Sequence, residues 1–167
     1  MSRQSEYRST SQYSAELVFT TMVDADFLRE RLEKVGGKDA ALLEHTADAD
    51  SARFRLRQAL DSRDLPSIVR NLLSGDIVIE RTETWTRSGP GTYRGGAQVL
   101  IKGTPASATG TMSLQDTAGG SELVVRTDVT VQVPIVGGKI ESVVAEKVKE
   151  LLAVETDFMI QHIAKQA

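Results

Sequence analysis

With 167 residues, 40% of them hydrophobic and 26% charged, the chain has the length and make-up of one globular domain with a substantial core. A formal net charge of −3 argues against general nucleic-acid binding, which runs on clustered positive charge, and no apolar run approaches the length of a membrane span. The absence of cysteine excludes disulfides and thiol chemistry and suits a reducing cytoplasm, the expected location.

The opening stretch MSRQSEYRSTSQ has two arginines, many hydroxyls and no apolar segment of the secretory kind. Residues 1–12 are therefore expected to be a flexible tail, with one domain over 13–167. From Tyr13 to Thr20 the chain alternates, placing Tyr13, Ala15, Leu17 and Phe19 on one face, which reads as a half-buried strand. Asp24 then caps a helix with the stripe Phe27, Leu28, Leu32 and Val35, stopped by Gly36-Gly37. Two strands follow, Leu42 to Asp48 and Ser51 to Leu60, joined by the turn-forming DADS; Phe54 and Leu56 share a face on which Gln58 comes next. Residues 66–73 read as a short helix with Pro66 at its first position, closed by Ser74-Gly75.

The remaining strands are IVIERTETWTR from Ile77, TYRGGAQVLIK after the turn SGPG, PASATGTMSLQDT after Gly103-Thr104, and ELVVRTDVTVQV after AGGS. Strands joined by such short turns pair antiparallel, because parallel neighbours need long crossovers. After Gly137-Gly138 nothing breaks a helix for almost thirty residues. Its apolar residues recur at three- and four-residue steps, so it is amphipathic and needs a broad surface to cover. The fold class is thus α+β, a long C-terminal helix packed across an antiparallel sheet.

Alternation assigns the inward faces. On residues 105–117 these are Ala106, Ala108, Gly110, Met112 and Leu114; on the preceding strand, Tyr93, Gly95, Ala97, Val99 and Ile101. Several of these positions carry almost no side chain, which predicts a cavity between sheet and helix, with Ala108→Phe or Gly110→Leu filling space in it. On residues 77–87 the face that includes Ile77 and Ile79 continues through Arg81, Glu83 and Trp85, giving an otherwise apolar pocket a few orienting polar groups. Along the helix Val144, Val148, Leu151, Glu155, Phe158 and His162 follow one line, beside Met159. The candidate cavity-lining residues are Arg81, Glu83, Trp85, Met112, Leu151, Glu155, Phe158, Met159 and His162. A carboxylate at Glu155 is costly there unless paired or hydrogen-bonded, and Arg81 is a candidate partner.

No G-x-S-x-G, G-x-G-x-x-G or P-loop pattern is present, and the two histidines, His45 and His162, lack the spacing of a metal site. Neither a metal nor a cofactor is expected, and no catalytic residue is assigned.

The segments VPIVGGKIESVVAEKVKELLAVETDF, ETW at Glu83–Trp85 and KGTPASATGTMSL at Lys102–Leu114 resemble a bacterial family of unknown function within the START-like (SRPBCC, helix-grip) superfamily. That resemblance implies a curved seven-stranded antiparallel sheet wrapped around the C-terminal helix, enclosing a cavity for a hydrophobic ligand. Many members place two helices between the first two strands, where KDAA after Gly36-Gly37 leaves room for little more than a turn. Three functions fit. The favoured one is binding or carriage of a small hydrophobic or amphipathic, lipid-like molecule. A polyketide cyclase- or dehydratase-like enzyme would need two titratable groups converging in the pocket, with Glu155, Glu83 and His162 as candidates. An interaction module would show a filled core and an exposed apolar patch.

Overall fold

The computed structural model describes residues 2–61, 63, 65–71, 77–102, 104–135 and 137–166. Eleven elements are formed by these: β1 (Ser2–Ser11), α1 (Ala15–Met22), α2 (Ala25–Val35), β2 (Ala41–Ala47), β3 (Ser51–Leu60), α3 (Ser67–Arg70), β4 (Ile77–Gly89), β5 (Thr92–Ile101), β6 (Ala106–Thr117), β7 (Gly120–Val131) and α4 (Gly137–Gln166). The strands make one curved antiparallel sheet in the order β1-β7-β6-β5-β4-β3-β2, and α4 packs across it. At about 1.5 Å per residue α4 is roughly 45 Å long, enough to span the domain.

Two sequence expectations are corrected at the N-terminus. Residues 2–11 are not a tail but the edge strand β1, paired with β7 from Ser2↔Thr130 to Ser11↔Ser121. Its inward side chains are Ser5, Tyr7, Ser9 and Ser11, so both faces read as polar and the alternation that betrays a strand is missing. Ser5 Oγ meets Thr127 Oγ1 at 3.2 Å, which satisfies two hydroxyls where apolar packing would otherwise be expected. The strand expected from Tyr13 to Thr20 is not formed; residues 15–22 are the helix α1. Ser14 caps it by accepting from the Leu17 N–H, and Asp116 Oδ1 accepts from the Ala15 N–H at 2.8 Å. Ala15, Val18 and Phe19 are buried at helical spacing, while Leu17 is exposed. Two helices therefore stand between β1 and β2, and the departure from the helix-grip pattern disappears.

α2 begins where expected, with Asp24 Oδ2 accepting from the Phe27 N–H at 3.0 Å. It ends at Gly36, and Gly37 follows at φ 84°, where a Cβ would lie 2.2 Å from the Ala59 carbonyl oxygen. Glycine is required there for both reasons. Pro66 is the N-cap of α3 rather than its first residue; the expected stop at Ser74-Gly75, and Gly103, lie outside the described residues.

The core falls into two clusters. One gathers Phe19, Phe27, Leu28, Phe54, Leu56 and Trp85 under α1 and α2. The other gathers Ile77, Ile79, Ala108, Val129, Val131 and Ile140 near the start of α4. There, buried Glu141 accepts from the Val131 backbone N–H at 2.9 Å and ties the first turns of α4 to the end of β7. No helix among the described residues is long and apolar enough to cross a membrane.

Candidate functional site

Between α4, α2 and the concave face of the sheet lies a cavity of about 110 Å³. Its floor comes from every strand from β3 to β7: Gln58, then Ile79, Arg81, Glu83 and Trp85, then Ala97 and Val99, Gly110 and Met112, and Leu123, Val125 and Thr127. α4 roofs it with Val148, Leu151, Leu152, Glu155, Thr156 and Met159, and α2 closes the side with Phe27 and Arg31. The Trp85 indole is held by an edge-to-face contact with Phe19, which stacks on Tyr93 at 4.2 Å. Opposite Trp85 in the β4–β5 register is Gly95, where a Cβ would come within 2.8 Å of the indole. The open space expected at Gly95 is thus taken by Trp85. Gly110 is different: a Cβ there meets Ala97, the Arg126 carbonyl and Met112 at 3.6–3.9 Å, ordinary contact distances.

The polar part of the wall is one buried cluster. Glu155 Oε1 accepts from Arg81 Nη2 at 3.0 Å, and Glu155 Oε2 accepts from Gln58 Nε2 at 2.9 Å. Arg31 Nη1 stands 3.8 Å from Glu155 Oε1, and Arg81 Nε stands 3.5 Å from Glu83 Oε2. Glu155, Arg31 and Arg81 are 5%, 5% and 8% exposed.

Burial by itself pushes the Glu155 carboxyl upward, but the Arg31 and Arg81 guanidiniums and the hydrogen bonds from Gln58 and Arg81 outweigh it and hold the group below its ordinary value. Burial likewise lowers Arg31, whereas for Arg81 the adjacent Glu155 and Glu83 outweigh burial and raise it. A carboxyl whose native pKa is depressed contributes stability that is complete above its unfolded value, here 4.5, and is lost as pH falls through the native one. The stability difference between the wild type and Glu155→Gln is therefore expected to be flat above about pH 5 and to shrink on acidification. Denaturant titrations from about pH 7 to pH 3 read it, and a difference that grows on acidification overturns the assignment.

Of the sequence candidates, Arg81, Glu83, Trp85, Met112, Leu151, Glu155 and Met159 come together on the cavity wall. Phe158 and His162 do not. They point from the flank of α4 onto α2, with Phe158 5.7 Å and His162 4.9 Å from the Phe27 ring, and His162 Nδ1 lies 3.5 Å from Glu30 Oε2. The inward line of α4 runs through Glu141, Ala145, Glu155, Met159 and Ile163, rotated from the line through Phe158 and His162. Ala108 faces inward but packs in the second core cluster rather than on the cavity, so Ala108→Phe would clash, not fill. Arg31 is not among the sequence candidates. The signal was present, because Arg31 sits inside the stripe Phe27, Leu28, Leu32 of α2 just as Glu155 sits inside that of α4.

A family model described as "Protein of unknown function (DUF2505)" matches residues 6–163. An uncharacterized protein of Mycobacterium tuberculosis (strain ATCC 25618 / H37Rv) is 26% identical over 166 residues, covering 95% of each chain. Among solved structures, a protein of unknown function from Staphylococcus aureus superposes with a TM-score of 0.64 at 10% identity, covering 100% of this chain and 98% of its own. Norcoclaurine synthase from Thalictrum flavum, in complex with dopamine and hydroxybenzaldehyde, gives 0.60 at 14% identity, covering 100% and 89%. At such identities the likeness is one of fold.

Proposed function

The chain belongs to the family of proteins of unknown function DUF2505 and has the START-like helix-grip fold, and from that premise we propose that it binds a small amphipathic molecule in the cavity between α4 and the sheet. The observation that carries this reading is the cavity itself, apolar over most of its wall and polar at one place, around Glu155. That composition is the usual one for a small-molecule site. A volume of about 110 Å³ is on the scale of the apolar cavities that take a single ring, so the occupant is ring-sized or a short chain rather than a complete lipid. Catalysis is less well supported. Glu155 is held ionised between two guanidiniums, a poor state for a general acid, and His162 lies outside the cavity.

The test is Gly110→Leu, combined with native mass spectrometry for a co-purifying small molecule. A leucine forced into a full core costs ~1–3 kcal/mol, whereas one entering the cavity should leave stability within about 1 kcal/mol of wild type. Binding of a fluorescent apolar probe should be lost in the same variant. A well-folded Gly110→Leu protein that binds the probe as before rules the cavity out as the site, and strong destabilisation means the space is not available.

A further inference from the structure

Seven buried side-chain nitrogen and oxygen atoms have no hydrogen-bond partner among the described residues, and five of them belong to four residues of this one cavity wall: Arg31 Nε and Nη2, Arg81 Nε, Trp85 Nε1 and Gln58 Oε1. Buried polar groups are nearly always paired, so such a concentration at one wall marks the place where a guest's polar end is received. The imbalance is informative. Four of the five are donors and one is an acceptor, so the guest must bring acceptors.

The charges narrow it further. Glu83 is the least buried member of the cluster, its side chain 15% exposed and its contact with Arg81 long at 3.5 Å. With Glu83 counted the wall holds two guanidiniums and two carboxylates, but the carboxylate nearest Arg31 is Glu155, at 3.8 Å and shared with Arg81 at 3.0 Å. A buried cation held by one long, shared contact is poorly compensated, and an anion on its free edge would complete its pairing. On Arg31 the unpartnered atoms are Nε and Nη2, the edge whose two parallel N–H groups match the two oxygens of a carboxylate. From the coincidence of the cavity, the unpartnered Arg31 edge and the long, shared contact of Arg31 with Glu155, we infer that the ligand is a small monocarboxylic acid, its carboxylate on Arg31 and its short aliphatic or single-ring body among Val99, Met112, Val125, Leu151 and Met159. This rests on the cavity being the binding site, as proposed above.

The experiment compares hexanoate and benzoate with hexanamide and benzamide by titration calorimetry, with the fluorescent apolar probe run alongside. The acids are expected to bind at least about tenfold more tightly than the amides of the same shape, and Arg31→Met is expected to abolish that preference. Because Arg31 is buried, its variant could fail for structural reasons. The side-chain Nε–H resonance of Arg31 in the wild type is therefore followed as well, and should shift and become protected from exchange on adding hexanoate. Equal affinity for acid and amide overturns the inference while leaving the cavity reading intact. A preference for the acid that leaves the Arg31 resonance unmoved also overturns it, since the carboxylate then sits elsewhere. Failure of the acids, the amides and the apolar probe alike overturns both.

Discussion

Glu155→Gln is expected to lower the unfolding free energy by about 3–5 kcal/mol at neutral pH, the range observed when one partner of a buried charge pair is removed. The substitution barely changes shape and leaves an oxygen that still accepts from Arg81, so the loss is almost entirely one of charge. Arg31 and Arg81 would remain buried with only the more exposed Glu83 to balance them. Against a total stability of roughly 5–15 kcal/mol for a domain, this is a large fraction. Urea titration of the variant measures it. The companion is the quadruple change Arg31→Met, Arg81→Met, Glu83→Gln and Glu155→Leu, which removes all four charges together. Buried ion clusters replaced by uncharged residues of similar volume are often neutral or stabilising, so the quadruple variant should recover most of the loss. It should also lose any preference for an anionic guest. If Glu155→Gln instead costs less than about 1 kcal/mol, the two arginines are compensated by something other than Glu155, and the carboxylate is not the anchor of α4 on the sheet.

How far the chain declares this site depends on whether an element has a dry face and a wet one. β4 declares it well: after Ile77 and Ile79 the same face must carry Arg81, Glu83 and Trp85, and all of these except Ile77 reach the cavity wall. Glu155 stands out because a carboxylate interrupts an apolar stripe, and Arg31 is the same kind of interruption on a helix of 11 residues, where a stripe has fewer members to define it. The rotation of α4 was less legible. Its residues are apolar over more than half a turn because α2 covers one flank as well as the sheet covering the face, so Phe158 and His162 look as inward as Met159. β1 could not be seen at all by periodicity. Ser5 and Ser11 on its inward face hydrogen-bond to hydroxyls on β7, and that partnership exists only once β7 is in place beside it. Gly95 illustrates the limit for cavities, because a missing side chain says that something comes close without saying whether that is space or an indole.

The sharpest division between strand and helix over residues 15–22 is made by two apolar residues, Leu17 and Phe19, which a strand would place on the same side. In α1 they are two residues apart on a helix and face differently: Leu17 is 43% exposed and Phe19 fully buried. Phe19→Ala is expected to cost about 3–5 kcal/mol, the usual range for deleting a buried aromatic ring. Its ring stacks on Tyr93 and meets Trp85 edge-on, contacts that add about 0.5–1.5 kcal/mol beyond the buried area, so the upper part of the range is expected. Leu17→Ala should change stability by no more than about 0.5 kcal/mol, since little packing is lost at an exposed site and alanine is the better helix former. Denaturant midpoints of the two variants decide between the readings, because equal and large losses would put both side chains in the core and return this segment to the sheet. The loss at Phe19 also has a consequence for the site. Trp85 would lose the ring that braces it on the cavity wall, so the fluorescence of this single tryptophan should shift to the red in Phe19→Ala and stay unchanged in Leu17→Ala.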